Sequence, residues 1–189
     1  MRPRPIRVIR SARRLAGALL ALVALVASSG CGDEEAADRP APSPPEPVEP
    51  QVVRTDSLRS LGVGTDIAEK PEFRPPSGSP PQNLQIYDVA EGDGAQATVG
   101  EPVSMQYVGR SFSNGREFDA SWDGEPFAFT LGAGEVISGW DLGIEGMREG
   151  GRRIIIIPPE LGYGAQGSPP SIAPNETLVF VVDLKSVGS

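Results

Sequence analysis

The sequence predicts an α+β domain in which an antiparallel sheet wraps around one short helix. From Leu84 onward, short runs of alternating apolar and polar residues are separated by glycine-rich turns, which is typical of antiparallel strands. Only Val136–Met147 carries apolar residues at helical spacing, and its glycines predict a short helix that depends on packing. Residues 82–189, about 108 residues, suffice for one small core.

Five apolar runs are predicted as strands, and Asn114-Gly115 predicts a hairpin turn within the same region. The runs are Leu84–Ala90, Val103–Val108, Phe127–Leu131, Arg152–Ile157 and Thr177–Val187.

The fourth run places its isoleucines on both faces of the sheet. In strand geometry Ile155 and Ile157 point inward, which leaves Ile154 and Ile156 on the outer face. Exposed isoleucines on a strand favour aggregation, so we expect part of residues 52–73 to cover them.

Composition excludes several classes of function. The chain has 189 residues, one cysteine and no histidine, which removes Ser-His and Cys-His catalysis and histidine-ligated metals. Six arginines are the only charged residues among the first 30, and without them 11 basic and 25 acidic residues leave a net charge of −14. So acidic a chain lacks the basic face that nucleic-acid binding needs, and we expect no nucleic-acid partner.

The N-terminus has the pattern of a secretory signal in residues 1–30. A basic segment precedes the apolar run Leu15–Ala27, which is too short for the ~20 residues of a transmembrane helix. Small residues then lead to Cys31, and this arrangement resembles a bacterial lipobox, although Ser28 stands where leucine is usual. The resemblance implies lipidation of Cys31 and an extracytoplasmic, membrane-anchored protein. The alternatives are a secreted or periplasmic protein, and Arg13-Arg14 leave a twin-arginine signal open.

Two further segments precede the domain. Residues 31–51 are rich in proline and acidic side chains without apolar periodicity, which predicts a disordered tether behind the lipidated cysteine. Residues 52–81, called the leader below, contain scattered apolar residues and are expected to dock on the domain at residues 82–189.

An aromatic stretch between residues 107 and 140 indicates the functional site. It gathers aromatic and aliphatic side chains around a single acid, Asp119, without a nucleophile–base pair or metal ligands. Such a basin suits the binding of an apolar ring and the rotation of a bond rather than hydrolysis. The side chains are Tyr107, Phe118, Phe127, Phe129, Val136, Ile137 and Trp140.

Several motifs in residues 84–187 resemble the FKBP-type peptidyl-prolyl cis-trans isomerases. They are Val108-Gly109, NGREFDAS, EPFAFTLGAGEVISGWDLGIEGM, ELGYGAQG and TLVFVVDL. The resemblance implies a five- or six-stranded antiparallel half-barrel around a short helix, with the active pocket between them. It also implies a monomer without cofactor that binds proline-containing exported polypeptides and macrolide immunosuppressants.

The resemblance also assigns the pocket residues. Implied catalytic residues are Tyr107, Phe118, Asp119, Tyr163 and Phe180, and implied substrate-binding residues are Phe127, Val136, Ile137, Trp140 and Ile172. Trp140 would form the floor, while the Ile137 N–H and the Tyr163 hydroxyl would bind substrate carbonyls.

Two positions depart from the family pattern. Trp122-Asp123-Gly124 stands where a basic partner of Asp119 is expected, and Ser168 occupies a loop position that is often histidine. The sequence therefore leaves open a peptide-binding or chaperone module that uses the same pocket with little turnover. An inert structural domain would leave the placement of the hydroxyls and the carboxylate unexplained.

Overall fold

The structure is a computed structural model that describes residues 50–122 and 124–188. The predicted signal peptide, Cys31 and the tether up to residue 49 lie outside this range, as does Asp123. The described residues contain seven strands and one α-helix, in the order β1 Val52–Arg54, β2 Leu84–Ala90, β3 Pro102–Ser111, β4 Glu117–Ala120, β5 Phe127–Thr130, α1 Ser138–Ile144, β6 Arg152–Ile157 and β7 Leu178–Val187. No helix in this part of the chain is long and apolar enough to cross a membrane.

The strands form an open sheet in the order β1-β2-β6-β7-β3-β4. Strand β5 also pairs with β3, so that β4 and β5 lie along different parts of the same edge of β3. The short helix and the wrapped sheet agree with the predicted fold class. The sheet is mixed rather than wholly antiparallel, because β1 pairs in parallel with β2.

Helix α1 is shorter than the predicted span Val136–Met147. Ile137 keeps an extended backbone as the N-cap, and Glu145 leaves the helical conformation with a ψ of 133°, so the helix ends at Ile144. Two glycines let the helix approach the sheet, since a Cβ on Gly139 or Gly143 would lie within 3.0 Å of isoleucine side chains on β6. The glycines that weaken the helix thus also permit its packing.

Side chains between α1 and the sheet form the main hydrophobic core, here called the inner cluster. Ile155 and Ile157 of β6 are completely buried in it, together with Met105 of β3 and Leu184 of β7. The helix contributes Trp140 and Ile144, among others. Apolar burial of this kind is the main favourable contribution to folding.

The opposite face of the sheet carries a second core, the outer cluster, which the leader covers. Ile154 and Ile156 are each 1% exposed there and pack with Leu58 and Phe73 of the leader. Leu58 lies on a 3-10 helix, Asp56–Leu61, whose N-terminus is capped by Thr55. The leader thus lies against the outer isoleucines.

Buried cations also bind the leader to the sheet. Arg152 forms a bidentate ion pair with Asp183, at 2.6 and 2.7 Å, and both side chains are about 1% exposed. Two further N–H groups of Arg152 donate to the carbonyl oxygens of Gly64 and Glu69, each at 2.8 Å. A buried guanidinium needs all of these acceptors, so the leader completes its hydrogen bonding.

We expect Leu58→Ala to lower the free energy of unfolding by about 3 kcal/mol, because it opens a cavity in the outer cluster. Leu61→Ala is a matched control on the same 3-10 helix, where the leucine is only partly buried, and it should cost about 1 kcal/mol. Urea unfolding of a chain that begins at Pro50 measures both. Equal effects would show that Leu58 is not part of a packed core.

Candidate functional site

Five aromatic side chains from five elements meet at one end of the inner cluster, here called the aromatic basin. They are Tyr107, Phe118, Phe127, Trp140 and Phe180, from β3, β4, β5, α1 and β7. Trp140 is central: its ring centroid lies 4.9 Å from Tyr107, 5.3 Å from Phe180 and 5.9 Å from Phe127. The rings meet edge to face, the favoured arrangement of aromatic pairs.

Gly109 makes room for two of these rings. A Cβ at this position would lie 2.7 Å from atoms of both Phe118 and Phe180. The two rings pack at 5.5 Å across the glycine. This lack of space explains why glycine follows Val108 at position 109.

A β-bulge explains how β4 contributes two successive residues to the site. Gly109 pairs with Asp119 and Arg110 pairs with Glu117, so Phe118 has no partner on β3. Successive strand residues normally point to opposite faces, and an extra residue changes that alternation. As a result Phe118 contacts Phe180 while Asp119 contacts Tyr107.

Asp119 is held by hydrogen bonds from neutral groups. The Tyr107 hydroxyl donates to its Oδ2 at 2.6 Å, and the Ala120 N–H donates to its Oδ1 at 3.0 Å. Within residues 50–122 and 124–188, none of the ion pairs involves Asp119. This agrees with the absence of the basic residue in the following loop.

Both site tyrosines keep their protons more firmly than a free tyrosine. Burial raises the pKa of Tyr107, and the hydrogen bond to Asp119 raises it further. Burial also raises the pKa of Tyr163, to which the negative charge of Asp119 adds. The two hydroxyls therefore remain donors throughout the physiological pH range.

The remaining predicted residues also belong to the inner cluster or pack against it. Val136 and Ile137 precede α1, and together with Tyr163 they are half-buried against the inner cluster. Ile172 is 1% exposed, and its backbone forms a bridge with Ser168. The structure thus brings the predicted pocket residues to one region.

Exposure separates the rim of the basin from its interior. Phe127 is 38% exposed, whereas Trp140 and Phe180 are 5% and 3% exposed. The indole N–H of Trp140 is buried and has no hydrogen-bond partner within the described part of the chain. A buried donor without a partner is unusual in folded proteins, and here it lies beneath the basin.

Sequence reasoning missed a polar pair that holds the loop after Asp119. Gln106, on β3, is 8% exposed and accepts a hydrogen bond from the Ser121 hydroxyl. The same hydroxyl accepts from the Tyr107 N–H at 2.9 Å, and the Gln106 amide donates to the Gly124 carbonyl at 3.3 Å. The sequence offered one signal for this pair, a single glutamine next to apolar strand residues. Alternation places Gln106 on the opposite face of the strand from Tyr107, so it was not assigned to the site.

Metal chemistry has no candidate site in the described ranges. No group of three or more His, Cys, Asp or Glu side chains there could hold a metal ion. What the basin offers is apolar contact, hydroxyl donors and one carboxylate.

The raised tyrosine pKa values predict that the protein loses stability in alkali. Above the unfolded-chain pKa of about 10, the unfolded state releases tyrosine protons that the folded state retains, so the free energy of unfolding falls as pH rises. The stabilising contribution is complete below that pH. Each such tyrosine adds up to about 1.4 kcal/mol per pH unit to the slope.

Urea unfolding between pH 9 and 11.5 measures this slope. Tyr163→Phe should make it shallower, because phenylalanine does not titrate. An unchanged slope in that variant would contradict the raised pKa of Tyr163.

Comparisons with known proteins give one consistent result. A family model described as "FKBP-type peptidyl-prolyl cis-trans isomerase" matches residues 94–185. An "FK506-binding protein" of Streptomyces anulatus is 57% identical over 121 residues, covering 63% of this chain and 98% of that protein. A "Probable FK506-binding protein" of Corynebacterium glutamicum is 46% identical over 119 residues, covering 62% and 98%.

Solved structures agree. The crystal structure of AtFKBP13 matches with a TM-score of 0.52 and 38% identity, covering 57% of this chain and 94% of that one. The open sheet around one helix fits the same fold. On the strength of the near-complete coverage of the Streptomyces relative, this chain belongs to the FKBP-type peptidyl-prolyl cis-trans isomerase family.

Proposed function

We propose that this protein accelerates cis–trans isomerisation of Xaa-Pro bonds in exported polypeptides, and that the aromatic basin binds the prolyl ring. Family membership supports an isomerase of this type. The observation that carries the proposal is the convergence of five aromatic rings from five elements beside one carboxylate.

The basin suits the physics of the reaction. Rotation about an amide bond has a barrier of about 18–20 kcal/mol, because the planar form is stabilised by resonance. In the twisted transition state the carbonyl oxygen carries less negative charge and the nitrogen becomes pyramidal. Water favours the planar, more polar form, so an apolar surface that excludes water favours the twisted form.

Polar groups at the edge of the basin orient the peptide. We assign the Ile137 N–H and the Tyr163 hydroxyl to substrate carbonyls, and the Asp119 carboxylate to the neighbourhood of the rotating carbonyl. A negative charge there disfavours the planar amide, whose oxygen is more negative, relative to the twisted one. A ten-thousandfold acceleration needs only about 5.5 kcal/mol of such differential binding.

No proton transfer or covalent intermediate enters this mechanism. Tyr107 acts on Asp119, because its hydroxyl donates to the carboxylate at 2.6 Å. The Ala120 N–H donates to the other carboxylate oxygen at 3.0 Å, so neutral donors orient Asp119. We assign Phe118, Phe127 and Phe180 to the walls around the prolyl ring and Trp140 to its floor, while Val136 and Ile172 complete the binding surface.

A second candidate function uses the same basin for binding alone. Asp119 is held by neutral donors and, among the described residues, by no ion pair. If the missing cation is needed for turnover, the protein would act as a peptide-binding or chaperone module. The relatives are named for FK506 binding, and we propose that this chain binds such macrolides in either case.

We expect Phe127→Ala to lower kcat/KM for a prolyl peptide about tenfold, because about 1.4 kcal/mol of apolar contact at the exposed rim is lost. The control is Val99→Ala, which trims another exposed apolar residue and should leave kcat/KM unchanged. A protease-coupled isomerisation assay on a chain that begins at Pro50 gives these values, with FK506 affinity measured in parallel.

The outcomes separate the two functions. FK506 or peptide binding without acceleration by the wild type would favour the binding module. Equal activity of the two variants and the wild type would place the site elsewhere.

We further propose that Cys31 anchors the mature protein to a membrane through lipid. The supporting observations are the basic segment, the apolar run and the small residues that precede this cysteine. A diacylglycerol thioether together with an acylated amino terminus meets the requirement of two lipid signals for stable anchoring.

Cys31→Ala should abolish incorporation of a labelled fatty acid and move the protein from the membrane fraction to the soluble fraction. Ser29→Ala keeps the cysteine and serves as the control. Labelling and fractionation in a bacterial expression host measure both effects. Equal labelling of Cys31→Ala and the wild type would refute the anchor.

A further inference from the structure

We propose that the leader holds strand β4 at both of its ends and thereby positions Phe118 and Asp119 for substrate. The inference rests on the proposed function of the aromatic basin. It assigns the leader a role in the site, although the leader lies on the opposite face of the sheet from the basin.

Strand β4 needs such support. It has four residues, lies at the edge of the sheet and is interrupted by the bulge at Phe118. Its strand pairing is with β3, in a register that shifts between Gly109 and Arg110. A short edge strand with a broken register has few backbone hydrogen bonds to hold it, so its position depends on side-chain contacts.

Two cations link the leader to Glu117, the first residue of β4: Lys70 of the leader and Arg110 of β3. Lys70 of the leader forms an ion pair with Glu117 at 2.8 Å. Arg110 lies 3.4 Å from the other carboxylate oxygen of Glu117, and it donates to the Phe73 carbonyl at 2.6 Å. The Arg110 guanidinium also lies 5.0 Å from the centre of the Phe73 ring. Phe73 of the leader therefore holds Arg110 beside Glu117.

The leader contacts the residues after β4 through Trp122. This side chain packs on the outer cluster, on the face that the leader covers. The Lys185 ammonium lies 5.9 Å from the centre of the Trp122 ring and donates to the Ile67 carbonyl of the leader at 2.9 Å. The leader is thus connected to the end of β4 through Lys185, which lies between Ile67 and Trp122.

Phe118 and Asp119 lie between these two points of attachment. An active site must hold its groups within a fraction of an ångström for differential binding of the transition state. Among the described residues no ion pair holds Asp119, and Trp122, two residues after β4, packs on the outer cluster. We infer that attachment from the outer face replaces the missing ion pair in fixing β4.

The test is the double variant Lys70→Met/Lys185→Met in the full chain. It removes the Lys70–Glu117 ion pair and the hydrogen bond from Lys185 to Ile67, keeps the Arg110 contact with Phe73, and retains the aliphatic parts of both side chains. We expect amide hydrogen exchange at residues 117–121 to become at least tenfold faster and kcat/KM for a prolyl peptide to fall about fivefold. Lys70→Arg/Lys185→Arg keeps both charges and should restore both values.

A matched control removes a leader contact far from β4. Arg59 donates to the Tyr87 hydroxyl at 3.0 Å, so Arg59→Met loses one cationic hydrogen bond between the leader and the sheet. It should alter neither the exchange of residues 117–121 nor kcat/KM. Thermal unfolding of all variants shows whether the fold is retained.

Each outcome decides between the proposals. Unchanged exchange at residues 117–121 in the methionine double variant overturns the attachment. Faster exchange with wild-type kcat/KM overturns its role in positioning. A wild type that neither isomerises prolyl peptides nor binds FK506 refutes the proposed function, and the exchange measurement then decides the attachment alone.

Discussion

Burial of both faces of strand β6 is the constraint on which the rest of the structure depends. All four of its isoleucines are at most 1% exposed. Helix α1 covers Ile155 and Ile157, whereas the leader covers Ile154 and Ile156. A strand that is apolar on both faces requires a layer on each side, so the leader belongs to the same compact unit as the sheet and helix.

The same burial explains why charged groups appear deep in the structure. Arg152 begins β6 and is 1% exposed, which is possible because Asp183 and two leader carbonyls satisfy its donors. Arg153 pairs with Asp88 at 2.5 Å and donates to the Gly143 carbonyl at the C-terminal end of α1. These two arginines therefore connect the sheet to its covering layers on opposite faces.

Local sequence patterns predicted β2, β3, β5, β6 and β7, because alternation and turn residues act over a few positions, but the four-residue strand β4 was not among the predicted runs. Three features depend on distant contacts and were not predictable in that way. Strand β1 has three residues and forms through pairing with β2, the bulge at Phe118 depends on register with β3, and Gln106 is buried because the loop at Ser121 folds over it. Helix α1 ends at Ile144 because Glu145 leaves the helical backbone conformation.

The edge strands of the sheet are short, and this limits how an extended polypeptide could pair with them. The edge strands are β1 on one side and β4 and β5 on the other, and each has only three or four residues. An extended polypeptide that added itself to such a margin would find few backbone groups to pair with, so sheet extension by a client chain is disfavoured. A domain built in this way can expose an apolar basin without also offering an extended chain a long strand edge to pair with.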